Sequence, residues 1–89
     1  MAHYFAIAEH GPKGGWFLTV PGSAGYSFAH HAEEIVHEAQ DYLASVAMAG
    51  PLPRSVEDGA PLPSVAGYDQ QVLVVVVPFA HTEQAKAVA

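Results

Sequence analysis

Apolar and polar positions alternate from His3 to Glu9. His3, Phe5 and Ile7 fall on one side and Tyr4, Ala6 and Ala8 on the other, the period-two pattern of a β-strand. Gly11, Pro12, Gly14 and Gly15 then break the chain, with Lys13 at the loop tip, and predict a hairpin connection longer than two residues. Trp16, Leu18 and Val20 alternate with Phe17 and Thr19, which predicts a second strand over 16–20. Pro21-Gly22 and Gly25 mark a bend. Tyr26 to Ala29 reads as a short third strand with Tyr26 and Phe28 on one side.

The period then changes. Ala32, Ile35, Val36, Ala39, Tyr42, Leu43, Val46 and Ala47 recur at helical spacing and form one apolar stripe. Glu33, Glu34, His37, Glu38, Gln40, Asp41 and Ser45 lie off it. Glu33 and Glu34 occupy the first turn, where the helix dipole favours anions. His31 and Ala32 are both poor N-caps. Gly50 and Pro51 end the helix.

Residues 50–70 form a Pro/Gly-rich connection that carries Pro-Leu-Pro twice, at 51–53 and 61–63. Pro-rich chain favours extended conformations and cannot join the middle of a sheet, so this loop is expected to be mobile or to clasp a partner. Val72 to Val77 is an unbroken apolar run, a last strand buried on both faces or paired at an interface. Pro78 ends it, and 82–89 has room for one or two frayed helical turns.

The elements predict an α+β fold, a two-layer β-β-β-α-β sandwich. It comprises a three-stranded antiparallel meander, one helix packed on one face, and a fourth strand in the order 3-2-1-4. A right-handed crossover through the helix would set strand four parallel to strand one. A single domain over 1–80 and a tail over 81–89 are expected. The sheet face away from the helix is left open, and a second subunit could cover it.

Composition sharpens this picture. Such a short chain buries only roughly 60–65% of its unfolded surface. Yet 51% of its 89 residues are hydrophobic, so apolar surface left over on a monomer favours a homo-oligomer, a dimer or tetramer. There is no cysteine, hence no disulfide framework and no thiolate zinc site. No signal-peptide pattern opens the chain, and its longest apolar run is far too short to cross a bilayer; a cytoplasmic protein without a membrane role is expected. Nine acidic residues stand against three basic ones, Lys13, Arg54 and Lys86, for a net charge of −6. Nucleic-acid binding draws on clustered Lys and Arg, which this chain lacks, so direct nucleic-acid binding is not expected and a basic protein is the better charged partner.

Candidate chemistry is sparse. Two-metal phosphoryl chemistry needs convergent carboxylates, and the first strand offers only Glu9. Glu34, Glu38 and Asp41 share a helix face, but it is the solvent face. His30, Glu34 and His37, at i, i+4 and i+7, are the best-spaced metal candidates, with Glu33 and His37 a further pair. Turn histidines and a solvent-facing helix account for the same residues, so no metal and no cofactor is assigned. Ser23, Ser27 and Ser45 lack a base placed by spacing, and no catalytic residues are assigned. Trp16, Tyr4 and Tyr26 could form a base-stacking platform, but packing on the sheet explains them better without basic neighbours.

The order of these motifs resembles the HicB-like antitoxin family. Tyr4-Phe5-Ala6-Ile7-Ala8-Glu9 is similar to its aromatic first strand, and Gly15-Trp16-Phe17-Leu18-Thr19-Val20-Pro21 to its second strand with closing proline. Gly25-Tyr26-Ser27-Phe28-Ala29 resembles its third strand. Glu33-Glu34-Ile35 with Ala39 resembles its helix start, both Pro-Leu-Pro units its post-helix proline, and valines 74–77 its final strand. The likeness spans roughly residues 4–78. It departs at Ala29-His30-His31, where the family has a small polar turn, and in the longer linker and the scarcity of basic residues on the helix; no DNA-binding domain is expected within these residues.

The resemblance implies a partial ribonuclease-H-like core. It also implies an antitoxin function: neutralisation of a small basic toxin, a HicA-like mRNA interferase, by protein–protein contact. Glu33, Glu34, His37, Glu38 and Asp41 would form the partner-binding face. An orphan homo-oligomer with a structural or ligand-binding role is the alternative. A metal-dependent nuclease relative using the His/Glu cluster of residues 30–38 is the third reading.

Overall fold

The fold is defined by a computed structural model that describes residues 1–64 and 71–80. Strands β1 (Ala2–His10), β2 (Trp16–Thr19), β3 (Ser27–Ala29) and β4 (Val72–Phe79) make one sheet in the order β3-β2-β1-β4. A 3-10 turn, Ala32–Glu34, leads into the helix α1, Ile35–Ala49, which lies on one face. The α+β architecture and strand order are those read from the pattern of the chain.

Alternation decides which face the helix covers. Tyr4, Ala6 and Ala8 of β1, Trp16 and Leu18 of β2, and Val77 and Phe79 of β4 are buried in one cluster with Ile35, Ala39 and Leu43 of α1. Ala6 and Ala8 have no measurable exposure. With only a methyl group each, they leave room for the helix to approach the sheet, and interiors pack too tightly to waste that space. Phe5, Ile7, Phe17, Phe28, Val74 and Val76 belong to the opposite, open face.

The hairpin between β1 and β2 closes through Gly11 N–H to Gly15 O at 3.0 Å and Gly14 N–H to Gly11 O at 3.1 Å. Gly14 and Gly15 have φ of +90° and +78°, the left-handed region that glycine enters without strain. Gly15 is doubly fixed, because an added Cβ would collide with Cζ of Phe28.

The direction of β4 departs from expectation. It runs antiparallel to β1, pairing Ala2 with Phe79 and Glu9 with Val72. A parallel strand would start beside the end of α1. Instead β4 begins at the far end of β1, where His10 N–H donates to Gln71 O at 3.0 Å. A long connection relieves the crossover constraint that governs short ones. The fourth strand is therefore not parallel to the first, as a crossover through the helix would have set it, although the expected strand order holds. β4 is also an edge strand, so the apolar run is not buried on both faces: Val76 is 50% exposed.

The first half of the linker packs on the chain itself. β2 stops before Pro21, which leaves the start of β1 without a neighbour on that side. The linker fills the gap: Val56 N–H donates to His3 O at 2.7 Å, and His3 N–H donates to the Glu57 carboxylate at 2.9 Å. The two Pro-Leu-Pro units have different fates, since Leu52 packs against the core while Leu62 is 73% exposed. The second half of the linker from residue 65 and the frayed turns expected over 82–89 lie outside the described residues.

Candidate protein-docking surface

The helix starts without a capping side chain at His31, as its sequence foretells, but Glu34 compensates. The His31 N–H donates to the Glu34 carboxylate at 3.0 Å, and Glu34 N–H returns a bond to His31 O at 3.0 Å. This satisfies one of the backbone donors left open at any helix start. Glu34 is thus partly committed to local structure, a role that spacing alone did not assign.

From that start α1 presents an acidic side. Glu33 and Asp41 are exposed, and Glu34 and Glu38 are half-buried. His37 Nε2 lies 3.5 Å from Asp41 Oδ2, one helical turn away, with both side chains open to solvent. The helix carries no basic residue in its last turn. Of the basic residues described, Arg54 is tied to Asp58 O at 2.8 Å and Lys13 sits on the β1–β2 hairpin. Glu33, Glu34, His37, Glu38 and Asp41 therefore share one rod, as their spacing implies.

The metal candidates are not brought together. His30 rests edge-on against Phe28, with ring centroids 5.1 Å apart, Glu34 bonds His31, and His37 faces Asp41. Among the described residues no three His, Asp or Glu side chains converge as an ion would require. Ser23 is likewise occupied: its hydroxyl donates to Val20 O at 2.8 Å and lies 2.8 Å from the Tyr42 hydroxyl. Tyr42 in turn donates to Ala24 O and so fastens the helix to the bend after β2. The aromatic trio is split between faces. Tyr4 and Trp16 are buried beneath the helix, whereas Tyr26 is 67% exposed beside Phe17.

A second polar feature escaped the sequence reading. His3 Nδ1 lies 2.6 Å from Glu57 Oε2, alongside the His3 N–H bond to the same carboxylate. That backbone hydrogen bond is the main reason the Glu57 carboxyl falls from its usual 4.5 to about 2, with its own backbone N–H and the His3 ring adding to it. Below it Ser55, the one buried polar side chain among the described residues, bonds Asp58 through its hydroxyl at 3.1 Å. A cleft of about 450 Å³ opens beside this turn between Tyr4, Leu52, Ser55, Asp58 and Phe79. Burial, then the carboxylates of Asp58 and Glu57, raise the Tyr4 phenol above its usual 10.0, so the cleft holds a neutral hydroxyl. No signal at short range could have paired residues 54 positions apart.

No helix among the described residues is long and apolar enough to cross a membrane. No family model, no curated protein and no solved structure matches the chain.

Proposed function

We propose that the chain is a protein-binding module of the HicB-like antitoxin kind, which neutralises a small basic HicA-like mRNA interferase by direct contact in the cytoplasm. The observation that carries this reading is the acidic rod of Glu33, Glu34, Glu38 and Asp41 on the outer side of the helix, in a chain of net charge −6. An RNA-cleaving partner must hold phosphates with Lys and Arg. A row of carboxylates competes for those same cations and steers the two proteins together. Blocking the RNA-binding surface then requires no chemistry from this chain.

Co-expression with the small basic protein encoded beside the gene tests the reading. Relief of the growth arrest caused by that protein, with a complex that survives purification, supports it. Unrelieved arrest, or no basic reading frame beside the gene, counts against it.

A further inference from the structure

Among the described residues no strand lies beyond β4, the outermost strand of the sheet. His10 N–H donates to Gln71 O, which fixes the phase of the β1–β4 ladder. In an antiparallel pair, residues that exchange hydrogen bonds alternate with residues that do not. With the observed register, Leu73, Val75 and Val77 therefore turn their backbone groups to Ala8, Ala6 and Tyr4. The N–H and C=O groups of Val72, Val74 and Val76 point away from β1, to the outer edge.

That edge has a definite end. Pro78 is next in the outward series, and it has no N–H to offer. Its carbonyl already accepts a bond from Gln40 Nε2 of α1, at 2.9 Å. Proline is tolerated in a sheet where its missing donor would face outward. The usable edge is thus Val72–Val76. No charged residue stands between Gln71 and Phe79. Natural edges are commonly blunted by lysine, by inward charges or by a covering loop, and this stretch has none of these among the described residues.

We propose that a second copy of this chain pairs with β4 antiparallel across a two-fold axis at Val74, which joins two four-stranded sheets into one continuous sheet. Val74 opposes its own equivalent, and Val72 opposes Val76 of the other copy. Each of these pairs exchanges two backbone hydrogen bonds. The register keeps Pro78 outside the new ladder. It also aligns Ile7 and Val74 of one copy with Val74 and Ile7 of the other across the open face, extending the apolar row across the joint.

Charge permits the pairing despite the net charge of −6 on each copy. The acidic side chain that the β1–β4 register sets nearest the joint is Glu9, opposite Val72. In this register the two Glu9 residues sit three strands and four residues apart, roughly 20 Å by ordinary sheet spacings. That exceeds the screening length of about 8 Å at physiological salt.

The test is sedimentation equilibrium on the full chain, with four single variants. The wild-type mass should rise with concentration from 9.4 kDa towards twice that value. Val76→Lys places a charge on the edge, and Val74→Pro removes one outward N–H while sparing the bonds to β1. Both should stay at the monomer mass with unchanged circular dichroism. The chain has no cysteine, so Val74→Cys is a clean probe: it should form a disulfide-linked dimer on mild oxidation, while Met48→Cys on the exposed helix end should not. A wild-type chain that remains monomeric overturns the proposal. So does a dimer that persists in both folded edge variants, or one in which Val74→Cys fails to cross-link. None of these outcomes bears on whether the helix docks a basic protein.

Discussion

The Glu57 carboxylate holds His3 twice, through its backbone N–H at 2.9 Å and its ring Nδ1 at 2.6 Å. This clasp ties the linker to the start of β1, at the place where β2 has ended. Its pH dependence has a definite sign. The Glu57 carboxyl is depressed from 4.5 to about 2, so its contribution to stability is present above 4.5 and disappears as pH falls towards 2. Tyr4 acts oppositely: a raised phenol favours the folded chain below pH 10 and loses that effect as pH rises further. Glu57→Gln should reproduce the acid state at neutral pH. Amide exchange at Val56, which donates to His3 O, should quicken in that variant while the exchange of Leu43 is unchanged. Equal protection of Val56 in both proteins would show that the clasp does not hold the linker.

Gly15 and Gly14 separate two causes of strain. Both have positive φ, but only at Gly15 would a Cβ strike Phe28. Gly14→Ala should cost about 1–2 kcal/mol from backbone conformation alone. Gly15→Ala should cost clearly more, because the Phe28 ring must move as well. For a domain of this size each kcal/mol corresponds to roughly 4–8 °C in Tm. Thermal denaturation of the two variants side by side gives the comparison, and equal losses would remove Phe28 from the explanation.

Leu43 marks the centre of the interface between helix and sheet. It is fully buried, and Leu43→Ala should destabilise by about 2–5 kcal/mol. Met48 is 90% exposed near the end of the same helix, and Met48→Ala should stay within about 0.5 kcal/mol. Urea denaturation measures both. A small loss at Leu43 would mean that α1 is held elsewhere.

Much of this fold is legible in the chain because its signals are local. Tyr4, Ala6 and Ala8 alternate with Phe5 and Ile7, and Ile35, Ala39 and Leu43 repeat at helical spacing. Both patterns are consequences of which residues a strand or a helix can bury. The direction of β4 was not legible. It depends on how far the linker travels, and Pro51 to Pro63 records stiffness but not destination. That the carboxylates of α1 lie off its apolar stripe follows from spacing, whereas the half-burial of Glu34 and Glu38 does not. The local use of Glu34 required the 3-10 start of the helix, and the pairing of His3 with Glu57 required the docked linker. Tyr26 is exposed because β3 begins only at Ser27, which leaves the tyrosine ring beside Phe17 without a cover.

Attraction between the acidic rod of α1 and a basic surface is measured directly by a salt series of binding isotherms with the neighbouring-gene protein. The wild-type chain should bind more weakly as salt rises. The Glu33→Gln, Glu34→Gln, Glu38→Gln, Asp41→Asn variant should bind at least roughly tenfold more weakly at low salt, about 1.4 kcal/mol, with its folded spectrum intact and a flatter salt dependence. Equal affinity for the two proteins across the series would contradict the claim that this face of the helix does the docking.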